Sequence, residues 1–227
     1  MSDTHTRDMR RVGGVCFDLD GTLVDTERLQ WQAYGRVLAA YGADLDLDTY
    51  RRHFIAVAGG AEWACRRWTL PVDAPALRAR KATVYRDLIA AGAPAMPGAR
   101  TCLERLHGDW PLAVVTNSTR AEAAVLLGAL DLDSLLAAVV AREDHAAAKP
   151  APDAYLAAAA ALGRPPAECV AIEDTPRGVR AARAAGLRVV AVPSELTADQ
   201  DFSDATRRVD GLDALTPAFL RALEASP

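Results

Sequence analysis

Residues 12–25 read Val12-Gly13-Gly14-Val15-Cys16-Phe17-Asp18-Leu19-Asp20-Gly21-Thr22-Leu23-Val24-Asp25. The first half is a short apolar run, Val12 to Phe17, that stops abruptly at an acidic loop, the pattern of a buried strand ending in a polar turn. Asp18 and Asp20 stand two residues apart at that end, so both carboxylates leave on one side of the backbone if the extended conformation continues that far. Two such carboxylates repel each other unless a cation or a shared proton intervenes. Hard oxygen ligands of this kind favour magnesium over zinc. Taken alone, D-x-D-G is equally the composition of a turn with an N-cap.

Working outward, three later segments repeat the form of an apolar run that ends in polar residues. They are Pro111 to Val115 before Thr116-Asn117-Ser118, Val170 to Ile172 before Glu173-Asp174, and Leu187 to Val192 before Pro193. Ala137 to Ala141 is a further candidate strand. Helical spacing falls between these runs, over Ala99 to His107, Arg120 to Leu130, Asp153 to Leu162 and Gly178 to Ala185. Strands alternating with helices of this length predict an α/β fold, a doubly wound, Rossmann-like parallel sheet covered on both faces. Ligands in such folds bind beyond the carboxyl ends of the strands. Asp18, Thr116 and the Glu173-Asp174 pair are all expected at that edge, although they are distant in sequence.

From Glu27 to about Ala95 only helical spacing is present, over Arg28 to Tyr41, Ala61 to Trp68 and Pro75 to Ala91. The division that follows is an α/β core of residues 1–26 and 96–227 with an inserted all-helical cap of residues 27–95. Such a block, entered near Asp25 and left through Pro94 to Gly98, has the position of a lid over the acidic site.

The chain has 227 residues, half of them apolar, which is enough for a sizeable core. Its formal net charge is −4 with both signs mixed along the sequence, so no broad cationic surface favours nucleic acid or anionic lipid. Small molecules are the expected partners. Cys16, Cys65, Cys102 and Cys169 form no C-x-x-C pair and are expected to be reduced thiols. Met1 to Arg11 is polar, and no later run approaches the ~20 apolar residues that a membrane helix requires. The expected address is cytoplasmic.

The full string Phe17 to Asp25 resembles the signature of the haloacid dehalogenase (HAD) phosphohydrolases, most closely the branch that holds β-phosphoglucomutase and many sugar-phosphate phosphatases. The resemblance implies roles for individual residues. Asp18 would be the nucleophile that becomes an aspartyl-phosphate, and Asp20 the acid that protonates the leaving oxygen and then activates water. Thr116 would offer its hydroxyl to a phosphoryl oxygen, with the amides of Asn117 and Ser118 as further donors. Lys149, in Lys149-Pro150-Ala151-Pro152-Asp153, would neutralise nucleophile and phosphate. Glu173 and Asp174 would complete a Mg2+ site with Asp18 and the backbone carbonyl of Asp20.

The cap departs from the mutase pattern. The histidine of the mutase's first cap helix corresponds to Gln30, which cannot titrate, and its cap-loop lysine and arginine correspond to Ile55 and Gly59. Phe54 to Ala61 therefore carries no cation with which to grip a second phosphate. Lys81 matches a cap lysine of the mutase, so Gln30 and Lys81 are the candidate substrate contacts of the cap. Trp63, Arg66, Arg67 and Trp68 have the spacing of a packed helix with snorkelling arginines. The expected function is a Mg-dependent hydrolysis of a small phosphate monoester, such as a sugar phosphate, by a monomer whose lid opens and closes. A hexose-phosphate mutase is the alternative enzyme, and a phospho-accepting receiver-like signalling domain is the alternative of a different class. Asp20 and the inserted lid disfavour the receiver, and Asp20 with magnesium disfavours dehalogenase chemistry. The intact acidic set and Lys149 disfavour a catalytically silent binding protein.

Overall fold

The computed structural model describes residues 11–57 and 59–223. The expectations for Met1 to Arg10, including the polar start of the chain, lie outside the described residues. The elements, in chain order, are β1 (Gly14–Phe17), α1 (Glu27–Ala39), α2 (Leu47–Tyr50), α3 (Gly60–Arg67), α4 (Ala74–Ala90), α5 (Ala99–His107), β2 (Leu112–Val115) and α6 (Arg120–Ala129). They continue with β3 (Ala138–Val140), α7 (Asp153–Ala161), β4 (Cys169–Glu173), α8 (Pro176–Ala184), β5 (Arg188–Ala191), β6 (Arg207–Arg208) and α9 (Pro217–Ala222). A single π-helical turn, Arg51–Ile55, extends α2.

The six strands form one parallel sheet in the order β3-β2-β1-β4-β5-β6. The alternation of side chains along each strand divides the core in two. Val15 and Phe17 of β1 join Leu112 and Val114 of β2 and Val170 and Ile172 of β4 on one face, covered by Leu103 and Leu106 of α5 and Leu126 and Leu127 of α6. Cys16, Ala113, Val115 and Ala171 point to the other face, where Tyr155 and Ala158 of α7 and Val179 and Ala182 of α8 cover them. Small alanines on that second face let α7 and α8 sit close to the sheet. Both faces are buried, which is why the strands read as unbroken apolar runs.

Strand order reverses at β1, with β2 and β3 on one side and β4 and β5 on the other. A crevice opens at the carboxyl ends of the strands at such a switch point. The helices α1 to α4 have a cluster of their own, built on Val37, Leu38, Leu45, Tyr50, Ala61, Ala64 and Leu77. The α4 residues Tyr85 and Ile89 belong instead to the first face of the core. No helix among the described residues is long and apolar enough to cross a membrane.

Candidate active site

Asp18 is the first residue after β1, and its amide donates to the Ile172 carbonyl of β4 at 2.9 Å, so the acidic turn leaves the sheet between β1 and β4. Thr116 follows β2, Glu173 closes β4 and Asp174 is next. Lys149 arrives from the loop after β3, and Asn117 fixes that loop by accepting from the Lys149 amide at 3.1 Å. The Lys149 ammonium is the hub. It donates to Asp18 Oδ1 at 2.6 Å, Glu173 Oε1 at 2.7 Å and the Val115 carbonyl at 2.9 Å, and it lies 3.3 Å from the Tyr155 hydroxyl. Burial works against its charge, but Asp18 and Glu173 outweigh burial and hold it above the ordinary lysine range. Lys149, Asp18, Glu173 and Asp174 are all buried.

Two glycines allow this crowding. A Cβ on Gly178 would stand 1.9 Å from Glu173 Oε1, and one on Gly21 would stand 2.2 Å from Asp174 Oδ2. Gly21 also has φ +87°, which glycine adopts without strain.

Asp18, Glu173 and Asp174 each bring a carboxylate oxygen within 4.8 Å of the others. Three carboxylates facing one ammonium leave two negative charges uncompensated when all are ionised. Burial, opposed by Lys149 and reinforced by Glu173 and Asp20, pushes Asp18 up to about 8. Burial, then Asp18 and Glu173, drive Asp174 well above the usual carboxylate range. Asp174 Oδ2 is buried and has no hydrogen-bond partner among the described residues. An orphaned oxygen, an excess of two charges and an all-oxygen donor set fit a divalent cation such as magnesium.

Asp20 is turned elsewhere. Its Oδ1 accepts from the Thr26 hydroxyl at 2.8 Å, and its Oδ2 accepts from Thr116 and Ser118, each at 2.8 Å. Of the expected donors of the Thr116 loop, the Thr116 hydroxyl is therefore engaged, and so is the Ser118 amide, which donates to Thr116 Oγ1 at 2.9 Å. The Asp20 side chain sits outside the carboxylate trio.

Between α4 and α1, Lys81 donates to Gln30 and its ammonium lies 4.2 Å from the centre of the Tyr85 ring. Burial lowers its pKa to about 8, against the opposing pull of Glu27. Trp63 stacks on His53 at 4.0 Å and meets Trp68 edge-on at 5.3 Å, inside the cap cluster, while Arg66 and Arg67 are exposed. Ile55 lines a cleft shared with Thr175 and Arg177, and Gly59 precedes α3.

Two supporting residues gave no signal in the sequence. The Tyr155 hydroxyl of α7 donates to Glu173 Oε1 at 2.7 Å, and Thr26 holds Asp20. A tyrosine in an alanine-rich helix reads as core, and a threonine before a helix reads as a cap. Thr26 does occupy the N-cap of α1, yet its side chain makes no capping bond.

Residues 12–186 match the model of the haloacid dehalogenase-like hydrolases. The chain belongs to that family. It is 38% identical over 212 residues to the protein CbbY of Rhodobacter capsulatus, covering 88% of this chain and 93% of the relative. It is 35% identical over 187 residues to the fructose-1-phosphate phosphatase YqaB of Escherichia coli, covering 80% and 97%. Among solved structures, CbbY of Rhodobacter sphaeroides in complex with phosphate superposes with a TM-score of 0.78 at 29% identity, over 92% of this chain and 99% of that one. The doubly wound parallel sheet expected from the alternation of strands and helices is the fold observed, and the chain is a hydrolase of the family that the Phe17 to Asp25 string resembles.

Proposed function

We propose that the chain is a magnesium-dependent phosphatase that hydrolyses a small sugar phosphate through an aspartyl-phosphate on Asp18. The observation that carries this reading is Lys149 bridging Asp18 and Glu173 beside Asp174, whose Oδ2 has no hydrogen-bond partner among the described residues. Magnesium, held by Asp18, Asp174 and the Asp20 carbonyl with Glu173 alongside, would supply positive charge against the phosphoryl oxygens.

In the first displacement an Asp18 oxygen bonds to phosphorus while the bond to the leaving oxygen breaks and Asp20 gives that oxygen its proton. Water attacks phosphorus in the second. Asp20 takes the proton of that water as the bond to Asp18 breaks. Lys149 holds Asp18 in place and offsets charge on the phosphoryl group, so the chain contributes mainly by positioning and electrostatics. Helices α1 to α4 act as the cap that closes over the ester and excludes bulk water.

A sugar phosphate is favoured because YqaB, a relative over most of this chain, is named for hydrolysing fructose 1-phosphate. Hydrolysis ranks above mutase chemistry because Gln30 has no titrating group and is tied to Lys81. We also read the chain as a monomer in the cytoplasm, and the free cysteines support the second part of that reading.

The test is phosphate release from a panel of phosphorylated metabolites, fructose 1-phosphate first, with magnesium or with chelator. Release that requires magnesium and disappears in Asp18→Asn is expected. Release by Asp18→Asn at the wild-type rate would remove the nucleophile. With β-glucose 1-phosphate and a trace of bisphosphate, inorganic phosphate is the expected product, and glucose 6-phosphate would identify a mutase.

A further inference from the structure

Three consecutive residues of the loop after β2 are each held by the loop after β3. The Ser118 carbonyl accepts from the Arg142 amide at 3.0 Å, Asn117 Oδ1 accepts from the Lys149 amide at 3.1 Å, and the Thr116 carbonyl faces His145 Nε2 at 3.3 Å. The first two contacts use backbone donors. The third uses a buried imidazole that has no part in the displacements described above.

His145 follows the helical turn Arg142–Asp144, and its own carbonyl accepts from the Arg142 guanidinium at 2.8 Å. Its Nδ1 lies 2.8 Å from the Ala147 carbonyl, and the Ala147 amide donates to Asp153 Oδ1 at 3.3 Å, which ties the ring to the start of α7. A ring nitrogen bonds a carbonyl only as an N–H donor, so the imidazole serves both partners with a proton on each nitrogen.

The oxygen that His145 meets belongs to the peptide between Thr116 and Asn117. A peptide is planar and trans, with its C=O and N–H pointing opposite ways, so a grip on the Thr116 oxygen fixes the direction of the Asn117 amide. That amide donates to no described residue, whereas the Thr116 hydroxyl and the Ser118 amide are engaged within the site. Of the three donors it is the one left for a phosphoryl oxygen. A hydrogen bond to the carbonyl also polarises the peptide and strengthens its N–H as a donor.

Resting on the phosphatase reading, we propose that His145 is a positioning residue, which through the Thr116 carbonyl aims the Asn117 amide at the phosphoryl group in the transition state.

The test compares His145→Gln, His145→Asn and His145→Leu with wild type, using fructose 1-phosphate or whichever ester of the panel wild type hydrolyses fastest. The amide nitrogen of Gln can take the place of Nε2 and that of Asn the place of Nδ1. Gln therefore keeps the Thr116 contact, Asn keeps the Ala147 contact, and Leu loses both. Loss of an aimed donor predicts that kcat falls roughly tenfold to a hundredfold in His145→Leu and His145→Asn, with a smaller change in KM. His145→Gln should recover most of that loss. Inhibition by orthovanadate, which mimics five-coordinate phosphorus, should weaken in the same two variants and by a similar factor. Variants that lose melting temperature but keep the wild-type kcat would make His145 a merely structural residue and overturn the proposal. Recovery by Asn rather than Gln overturns it too, because the effect would then act through Ala147. Three variants that all fail to fold assign His145 to the fold and have the same consequence. Each of these results leaves the phosphatase reading standing. Wild-type protein that releases phosphate from no ester of the panel overturns that reading, and this proposal with it.

Discussion

The Thr116 hydroxyl donates to Asp20 Oδ2 at 2.8 Å, which joins the end of β2 directly to the acidic turn after β1. Ser118 and Thr26 hold the same carboxylate from two other directions. In the reaction proposed above, Asp20 delivers a proton to one oxygen and later takes one from water, which works only if it is aimed, and three hydroxyls hold it in one place. Thr116→Val keeps the shape and removes one donor to a charged group. It should lower kcat by roughly tenfold to a hundredfold with a smaller change in KM. Steady-state kinetics with fructose 1-phosphate check this, and an unchanged kcat would show that the Thr116 bond does not aim the acid.

Burial raises Asp18 to about 8 and moves Asp174 in the same direction. Each therefore binds its proton more tightly folded than unfolded. Their contribution to stability is complete below about pH 4 and is lost as pH rises toward 8. Metal-free protein should accordingly melt at a lower temperature at pH 8 than at pH 5. Magnesium competes with those protons, so it should raise the melting temperature more at pH 8 than at pH 5. In Asp18→Asn the pH slope of the chelator-treated protein should flatten. Thermal melts across that range, with chelator and with magnesium, decide the matter, and an equal effect of magnesium at both pH values would count against these carboxylates as its ligands.

Much of this was legible in the residues, for a definite reason. A strand buried on both faces is apolar until it leaves the sheet, so the apolar runs end at the ends of β1 and β2 and within one residue of the ends of β4 and β5, and Asp18, Thr116 and Glu173 stand at three of them. The helix expected over Ala99 to His107 is α5, residue for residue. Other elements carry no such signal. β6 is two exposed arginines, and α2 is four residues held by the Asp46 side chain capping the Thr49 amide. The partners of the site were hidden for a different reason. Tyr155 meets Glu173 across 18 residues and Thr116 meets Asp20 across 96, and no local spacing encodes a meeting made by the sheet.

Two ion pairs tie the cap to the loop after β5. Arg28 reaches Glu195 at 2.8 Å, and Arg51 pairs with Asp199. The side chains are 35–83% exposed, so each pair contributes about 0–1 kcal/mol to stability at most. Their effect belongs to the position of the cap. The double variant Glu195→Ala/Asp199→Ala should leave the melting temperature within a few degrees of wild type and raise KM severalfold. Because such pairs are screened, the difference in KM should shrink in 1 M salt. A melting temperature that collapses would assign these pairs to the fold instead.

Gly178 gives the sharpest separation between general stability and the needs of the site. Inside an exposed helix, Gly→Ala is ordinarily stabilising, because alanine loses less backbone entropy on folding. At Gly178 the new methyl would stand 1.9 Å from Glu173 Oε1, and that carboxylate cannot withdraw without breaking its bonds to Lys149 and Tyr155. Gly178→Ala should therefore destabilise by about 1–3 kcal/mol, the usual cost of overpacking. Gly21→Ala meets Asp174 Oδ2 at 2.2 Å, and Asp174 has no hydrogen bond from that oxygen to resist displacement. The second variant should lose magnesium affinity at least tenfold, beyond its loss of melting temperature from the φ +87° backbone. Calorimetric titration of magnesium, with melts of both variants, checks the contrast, and Gly21→Ala that binds magnesium as wild type does would place the metal away from Asp174.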